Sequence, residues 1–173
     1  MDIEHPESGM VRLRQLRTTD SPRLSELANN KNIWDNVRDF FPHPYSEKNA
    51  VEFIELVGKE DPKVTFAIDF QGELVGVIGL VPQSDIYRLS AEIGYWIGEP
   101  FWNKGITTQA IRLLTHYGFH TLDLQRIYTG VFDYNKASQR VLEKCGFVLE
   151  GIFKHAIIKN NKTIDEYRYA LIK

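Results

Sequence analysis

The sequence reads as an α+β (mixed α/β) chain: a central, mostly antiparallel twisted sheet of about seven strands flanked by helices. Three observations predict this. Helical periodicity is grouped early in the chain. The strands come mostly as hairpins. One strand, Leu89 to Ile97, is followed by a helix before the next strand begins, which gives a single crossover between parallel neighbours.

Val11 to Leu16 alternates apolar and polar residues as a half-buried strand does. Thr18, Thr19 and Asp20 offer capping side chains before Ser21-Pro22, and a short helix follows to about Asn29. Ile33, Trp34 and Val37 suggest a further helical turn, after which Pro42 and Pro44 make Phe40 to Tyr45 a shaped loop. Ser46 is the N-cap of a helix whose apolar positions, Ala50, Phe53, Ile54 and Val57, run up to Gly58. Val64 to Phe70, the turn Gln71-Gly72 and Glu73 to Val81 form an antiparallel hairpin.

The Leu89 strand leads through a Gly/Pro-marked turn into a helix with Ile106, Ala110, Leu113, Leu114 and Tyr117 on one face, and Arg126 to Phe132 returns parallel to it. Asn135 starts a helix from Lys136 to Cys145, which Gly146 ends. Phe147 to Ile158 and Thr163 to Ile172 are the last strands, joined by the polar link Lys159 to Lys162. The first ten residues read as a flexible lead-in and residues 11–173 as a single domain.

A chain of 173 residues, 43% hydrophobic and 25% charged, has enough apolar residues for a sizeable core. Its formal charge of -2 gives no overall pull toward nucleic acid or an anionic membrane, so neither is expected as a partner. Cys145 is the only cysteine, which rules out an internal disulfide and fits a reducing cytoplasm. His116 and His120 have the spacing of a zincin pair, but Tyr117 stands where the glutamate of HExxH belongs; no metal site is expected.

The most informative stretch is Ala91 to His120, where a strand is converted into a helix start at Asn103-Lys104-Gly105. The first N–H groups of a helix have no intrahelical partner and carry the positive end of the macrodipole, so a phosphate or pyrophosphate is their natural ligand. The bland alternative is an ordinary helix-starting turn. Neither the P-loop pattern GxxxxGK[ST] nor the dinucleotide pattern GxGxxG is present.

Two segments, AEIGYWIGEPFWNKGITTQA and YNKASQRVLEKCGFVLEG, resemble the acyl-CoA binding motif and the following helix motif of the GNAT N-acetyltransferase family, most closely its RimJ/RimL-like branch. The order of elements matches from Val11 onward. The resemblance implies a GNAT fold whose sheet splays between the two parallel strands, with acetyl-CoA as cofactor and CoA as product. It implies that the backbone of Tyr95, Trp96 and Ile97 bonds the pantetheine arm as an added strand would. Asn103, Lys104, Gly105, Ile106 and Thr107 then hold the pyrophosphate, and Asn135 contacts the pantetheine end.

The departures are specific. The family loop is Gln or Arg, two free residues, Gly, one free residue, then Gly or Ala; here its ends are Trp102 and Thr107, Asn103 stands where glycine is frequent, and Gly105 is kept. Leu142 occupies the position of the tyrosine general acid of many members, and Ile157 that of a RimL-type glutamate. Ser138 matches the serine to which the RimL-like branch assigns the leaving thiolate, and Glu92 matches the core-strand base of other branches.

The chemistry asks for an uncharged amine, a polarised thioester carbonyl and a destination for the proton and the thiolate charge. Glu92 and Ser138 are the catalytic candidates, the latter also a cofactor contact. Glu92 shares a strand face with Gly94 and Trp96, so open space lies beside its carboxylate. Bland readings stand next to these: a small helix residue for Ser138, and for Glu92 a salt bridge to Arg88 or Arg126. On the acceptor side Trp34, Phe41 and Tyr45 could form an aromatic wall, and Asp39 could attract a cationic amine. Arg38 and the Lys159 to Asp165 link belong to the same region, and simple packing of the aromatics is the alternative.

The reading is therefore an N-acetyltransferase acting by direct attack on a primary amine, a protein N-terminus or a small-molecule amine, with a homodimer left open. A non-catalytic acyl-CoA-binding or interaction module on the same fold is the alternative.

Overall fold

The computed structural model describes Asp2, Ile3 and residues 10–173. Its strands are β1 Val11–Arg14, β2 Thr65–Phe70, β3 Glu73–Pro82, β4 Ser90–Ile97, β5 Arg126–Phe132, β6 Val148–Lys159 and β7 Lys162–Ile172. Its helices are α1 Ser21–Ala28, α2 Lys31–Trp34, α3 Glu47–Gly58, α4 Ile106–His120 and α5 Lys136–Lys144. The strands form one mixed sheet in the order β1-β2-β3-β4-β5-β7-β6.

Pairing is antiparallel for β1 with β2, β2 with β3, β5 with β7 and β6 with β7. Gly98 N donates to Val75 O at 2.8 Å and Gln83 N to Ser90 O at 2.9 Å, which sets β3 antiparallel to β4. The crossover expected from the intervening helix is present: β4 and β5 run parallel, with Ser90, Ala91 and Glu92 opposite Arg126, Ile127 and Tyr128. That pairing takes up three residue pairs of strands eight and seven residues long.

The chain falls into two compact units, Met1–Gly79 with Tyr95–Leu114 and Leu80–Gly94 with Thr115–Lys173. In the first, the amphipathic spacing of α1 and α3 buries Leu24, Ala28, Ala50 and Ile54 against Ala67, Leu74 and Val77 of the sheet, with Tyr45 among them. The first strand stops at Arg14, short of the predicted Leu16, because Arg14 turns a charged side chain inward. Its Nε donates to Asp69 Oδ2 at 2.9 Å, and its Nη1 and Nη2 donate to Asp20 at 2.8 and 2.9 Å. Burial raises the acid of Asp69, yet the hydrogen bonds from Arg14 and Arg12 outweigh it and leave the carboxyl below its ordinary value. Of the expected lead-in, most lies outside the described residues, while Ile3 exchanges two backbone hydrogen bonds with Leu13, at 2.8 and 3.0 Å.

In the second unit β5 alternates as a sheet strand must. Ile127, Thr129 and Val131 are buried; Arg126, Tyr128 and Gly130 share the other, half-open face. The β6–β7 hairpin turns on Asn160 and Asn161, both in the left-handed region at φ 50° and 58°, which asparagine tolerates better than most residues. Among the described residues no helix is long and apolar enough to cross a membrane.

Candidate active site

The helix start that stands out in the sequence begins a 15-residue helix, α4. Gly105, immediately before it, has φ +75° and accepts the first helical bond, from Gln109 N at 3.2 Å. Glycine has no side chain with which to cap the helix, and a Cβ at Gly105 would meet nothing within 4 Å: the positive φ demands the glycine, and the space in front of it is open. Asn103 is also left-handed, at φ 61°. Asn103, Lys104 and Gly105 are exposed, Ile106 is buried and anchors the helix, and Thr107 is half-buried. Lys104 lies with its Nζ 5.4 Å from the centroid of Phe101.

Trp102, the departure at the head of the loop, has a structural task. Its indole Nε1 donates to Ile97 O at 2.8 Å, which ties the loop back to the end of β4. That strand end is itself closely packed, since a Cβ on Gly76 of β3 would lie 2.3 Å from Trp96 O. Only glycine lets the two backbones approach so nearly. Glu99, in the turn between, accepts from Asn30 Nδ2 at 2.6 Å and from Asn32 Nδ2 at 3.1 Å; those amides hold its carboxyl below the ordinary range. Asn30 meanwhile caps α2 through Oδ1.

The predicted acceptor residues of the same unit form one aromatic run. Trp34 Nε1 donates to Phe41 O at 3.1 Å, Phe41 meets Trp96 edge-on at 5.9 Å, and Tyr45 lies 5.0 Å from Phe41. Tyr45 is a core residue, 7% exposed, and burial pushes its phenol up to about 12. Arg38 and Asp39 are exposed.

The second unit holds Glu92, Asn135 and Ser138. Asn135 Oδ1 accepts from Ser138 N at 3.1 Å, so this asparagine caps α5 in the expected way. Leu142 is fully buried, and its hydrocarbon side chain has no proton to give, so that position takes no part in proton transfer. Arg126, a possible partner for Glu92 in the sequence, is engaged elsewhere: its Nη1 donates to Glu150 Oε1 at 2.7 Å and its Nη2 to the other oxygen. Ile157 lies on β6 opposite Ile164, and Lys159 to Asp165, read as a link, is the closed end of the hairpin, where Asp165 accepts from Lys154 Nζ at 2.7 Å.

A cavity of about 400 Å³ opens in this unit, lined by Gln83, Tyr87, Ser90, Arg126, Tyr128 and Arg168. Sequence reading missed it as a site. The signal was the alternation on β5 and β7, which puts Arg126, Tyr128 and Arg168 on one face, in register with Ser90 and Glu92 of β4.

These features fit an acyl-CoA: an open helix start for phosphates and a strand end tied in place beside it. A sequence profile of the Acetyltransferase (GNAT) domain matches residues 11–148. The spermidine N(1)-acetyltransferase of Escherichia coli (strain K12) is 30% identical over 169 residues, 96% of this chain and 86% of that protein. The ribosomal-protein-serine acetyltransferase of the same organism is 35% identical over 107 residues, 62% of this chain and 59% of that one. A solved structure of RimL, a ribosomal alpha-N-protein acetyltransferase, in complex with coenzyme A superposes with a TM-score of 0.84 at 27% identity, covering 96% of each chain. The chain belongs to the GNAT acetyltransferase family, in its RimJ/RimL-like branch, and is an acetyl-CoA-dependent N-acetyltransferase.

Proposed function

We propose that the chain acetylates a primary amine by direct attack in a ternary complex, with Glu92 as base and Ser138 as the group that meets the leaving sulfur. The observation that carries this is the start of α4, where Gly105 leaves the space before the helix open. Main-chain N–H groups of Ile106 and Thr107 bind the pyrophosphate there, with Asn103, Lys104 and Gly105 shaping the approach. Tyr95, Trp96 and Ile97 pair with the pantetheine as a strand, and Asn135 contacts its far end. Acetyl-CoA supplies the thioester carbonyl that is attacked and the thiolate that leaves. Glu92 takes one proton from the ammonium, directly or through water, before the neutral nitrogen bonds to the carbonyl carbon; as the carbon–sulfur bond breaks, its electron pair goes to the thiolate and the nitrogen's second proton leaves through water. Ser138 donates a hydrogen bond to the leaving thiolate, and a main-chain N–H of Tyr95 to Ile97 polarises the carbonyl.

Trp34, Asp39 and Phe41 contact the acceptor, a protein N-terminus or a small-molecule amine, with Tyr45 packed behind Phe41. The single cysteine supports a cytoplasmic setting, and the apolar exposed residues of β6, Val148, Ile152, Phe153 and Ile158, support a homodimer.

The test is thiol release from acetyl-CoA with a panel of primary amines and peptides. Glu92→Gln should lower kcat about 100-fold at neutral pH, leave acetyl-CoA affinity unchanged, and recover part of the rate near pH ~10, where the amine is already neutral. Unchanged kinetics in Glu92→Gln would remove Glu92 from the mechanism.

A further inference from the structure

The cavity of the second unit has a mixed lining whose charged side chains carry one sign. Arg126 and Arg168 both lie by the ring of Tyr128, their guanidinium carbons 5.7 and 6.0 Å from its centroid, and Gln83, Tyr87 and Ser90 complete the lining. Each arginine is held by a carboxylate that does not line the cavity: Arg126 by both oxygens of Glu150, Arg168 through Nε at 2.9 Å and through Nη2 by Glu166. The Glu166 carboxylate lies across Gly130, where an added Cβ would come within 2.6 Å of it, so glycine there makes room for the pair. A guanidinium has five N–H donors, and these bonds leave each arginine with three. The cavity is thus rich in fixed donors, and its two charged lining side chains are both cations.

Glu92 lies two residues beyond Ser90 on the same strand face, opposite Tyr128. Two residues of a strand span about 6.6 Å. An amine at Glu92 would therefore place whatever it carries some five bonds away among Arg126, Tyr128 and Ser90.

We propose that this cavity is a second anchor for the acceptor, and that it takes a carboxylate or carbonyl oxygen carried about five bonds from the reacting amine. The inference rests on the N-acetyltransferase reading with Glu92 beside the amine. It separates this chain from its relative named for spermidine: a polyamine would bring a second ammonium to a cavity whose charged lining side chains are both arginines.

The decisive probes are 5-aminopentanoate and 1,5-diaminopentane, which differ at the far end alone. Calorimetric binding of each to the protein loaded with CoA, measured apart from turnover, should favour the aminocarboxylate about tenfold. Arg168→Met, and the double variant Arg126→Met with Glu150→Gln, which leaves no uncompensated charge, should each shrink that preference to about threefold or less. Equal or tighter binding of the diamine overturns the proposal, as does a preference that survives both variants. A tripeptide amide distinguishes the sources of the oxygen: binding as tight as the aminocarboxylate's assigns the anchor to a peptide carbonyl, and weaker binding assigns it to a free carboxylate. Thiol release with the same compounds reports separately on the acetyltransferase reading.

Discussion

Helices α4 and α5 both follow an asparagine-containing turn, and both present first-turn N–H groups that the helix cannot satisfy. They meet that requirement differently. At α5 the chain supplies its own acceptor, Asn135 Oδ1, 3.1 Å from Ser138 N. At α4 the residue in the capping position is Gly105, which has nothing to offer, and the loop before it is secured from the side by Trp102 and Ile97. A self-capped helix start fixes the residue that is capped, here Ser138; one preceded by glycine leaves its backbone N–H groups without a side-chain cap. On the proposed reading, one is a mounting and the other a receptor.

The contrast is broken most severely by Gly105→Val. A β-branched residue at φ +75° is strained by about 1–2 kcal/mol, and its side chain would enter the open space through which, on the proposed reading, phosphate oxygens approach the N–H groups. Acetyl-CoA affinity should fall about 50-fold by calorimetry, roughly 2.3 kcal/mol. An unchanged affinity would remove the α4 start from the cofactor site.

How much of this was readable in advance follows from the range of the interactions. Periodicity, capping residues and Gly/Pro turns are local, and they predict the strands and helices to within about two residues, including the parallel return of β5. The α4 helix start was legible for the same reason, since it is one continuous stretch. Trp102 was not, because its task is a bond to Ile97 that no pattern of residue types announces. The shortening of β1 was hidden likewise: Asp69, 55 residues beyond Arg14, draws that side chain inward. Nor does the sequence join Gln83, Tyr87 and Ser90 to Arg126 and Arg168; only the sheet register assembles that cavity.

At α5 the two residues can be separated. Ser138→Ala keeps the backbone N–H that Asn135 accepts and deletes only the hydroxyl, so stability should hold while kcat falls about tenfold, consistent with the loss of one hydrogen bond to a developing anion. Full kcat would end the assignment of Ser138 to the leaving sulfur.

The mildest change, Asn135→Ala, tests whether the α5 start is mainly a mounting. It leaves Ser138 N without its acceptor, and caps of this kind contribute about 1 kcal/mol, which chemical denaturation should register as a loss of that size. If Asn135 serves only as a cap, kcat and acetyl-CoA affinity change together and are restored by Asn135→Asp, whose carboxylate can accept the same N–H. If its side-chain amide also reaches the pantetheine, Asn135→Asp restores stability but not affinity, because a carboxylate has lost the amide donor. That split measures how far the self-capped helix start also acts as a receptor.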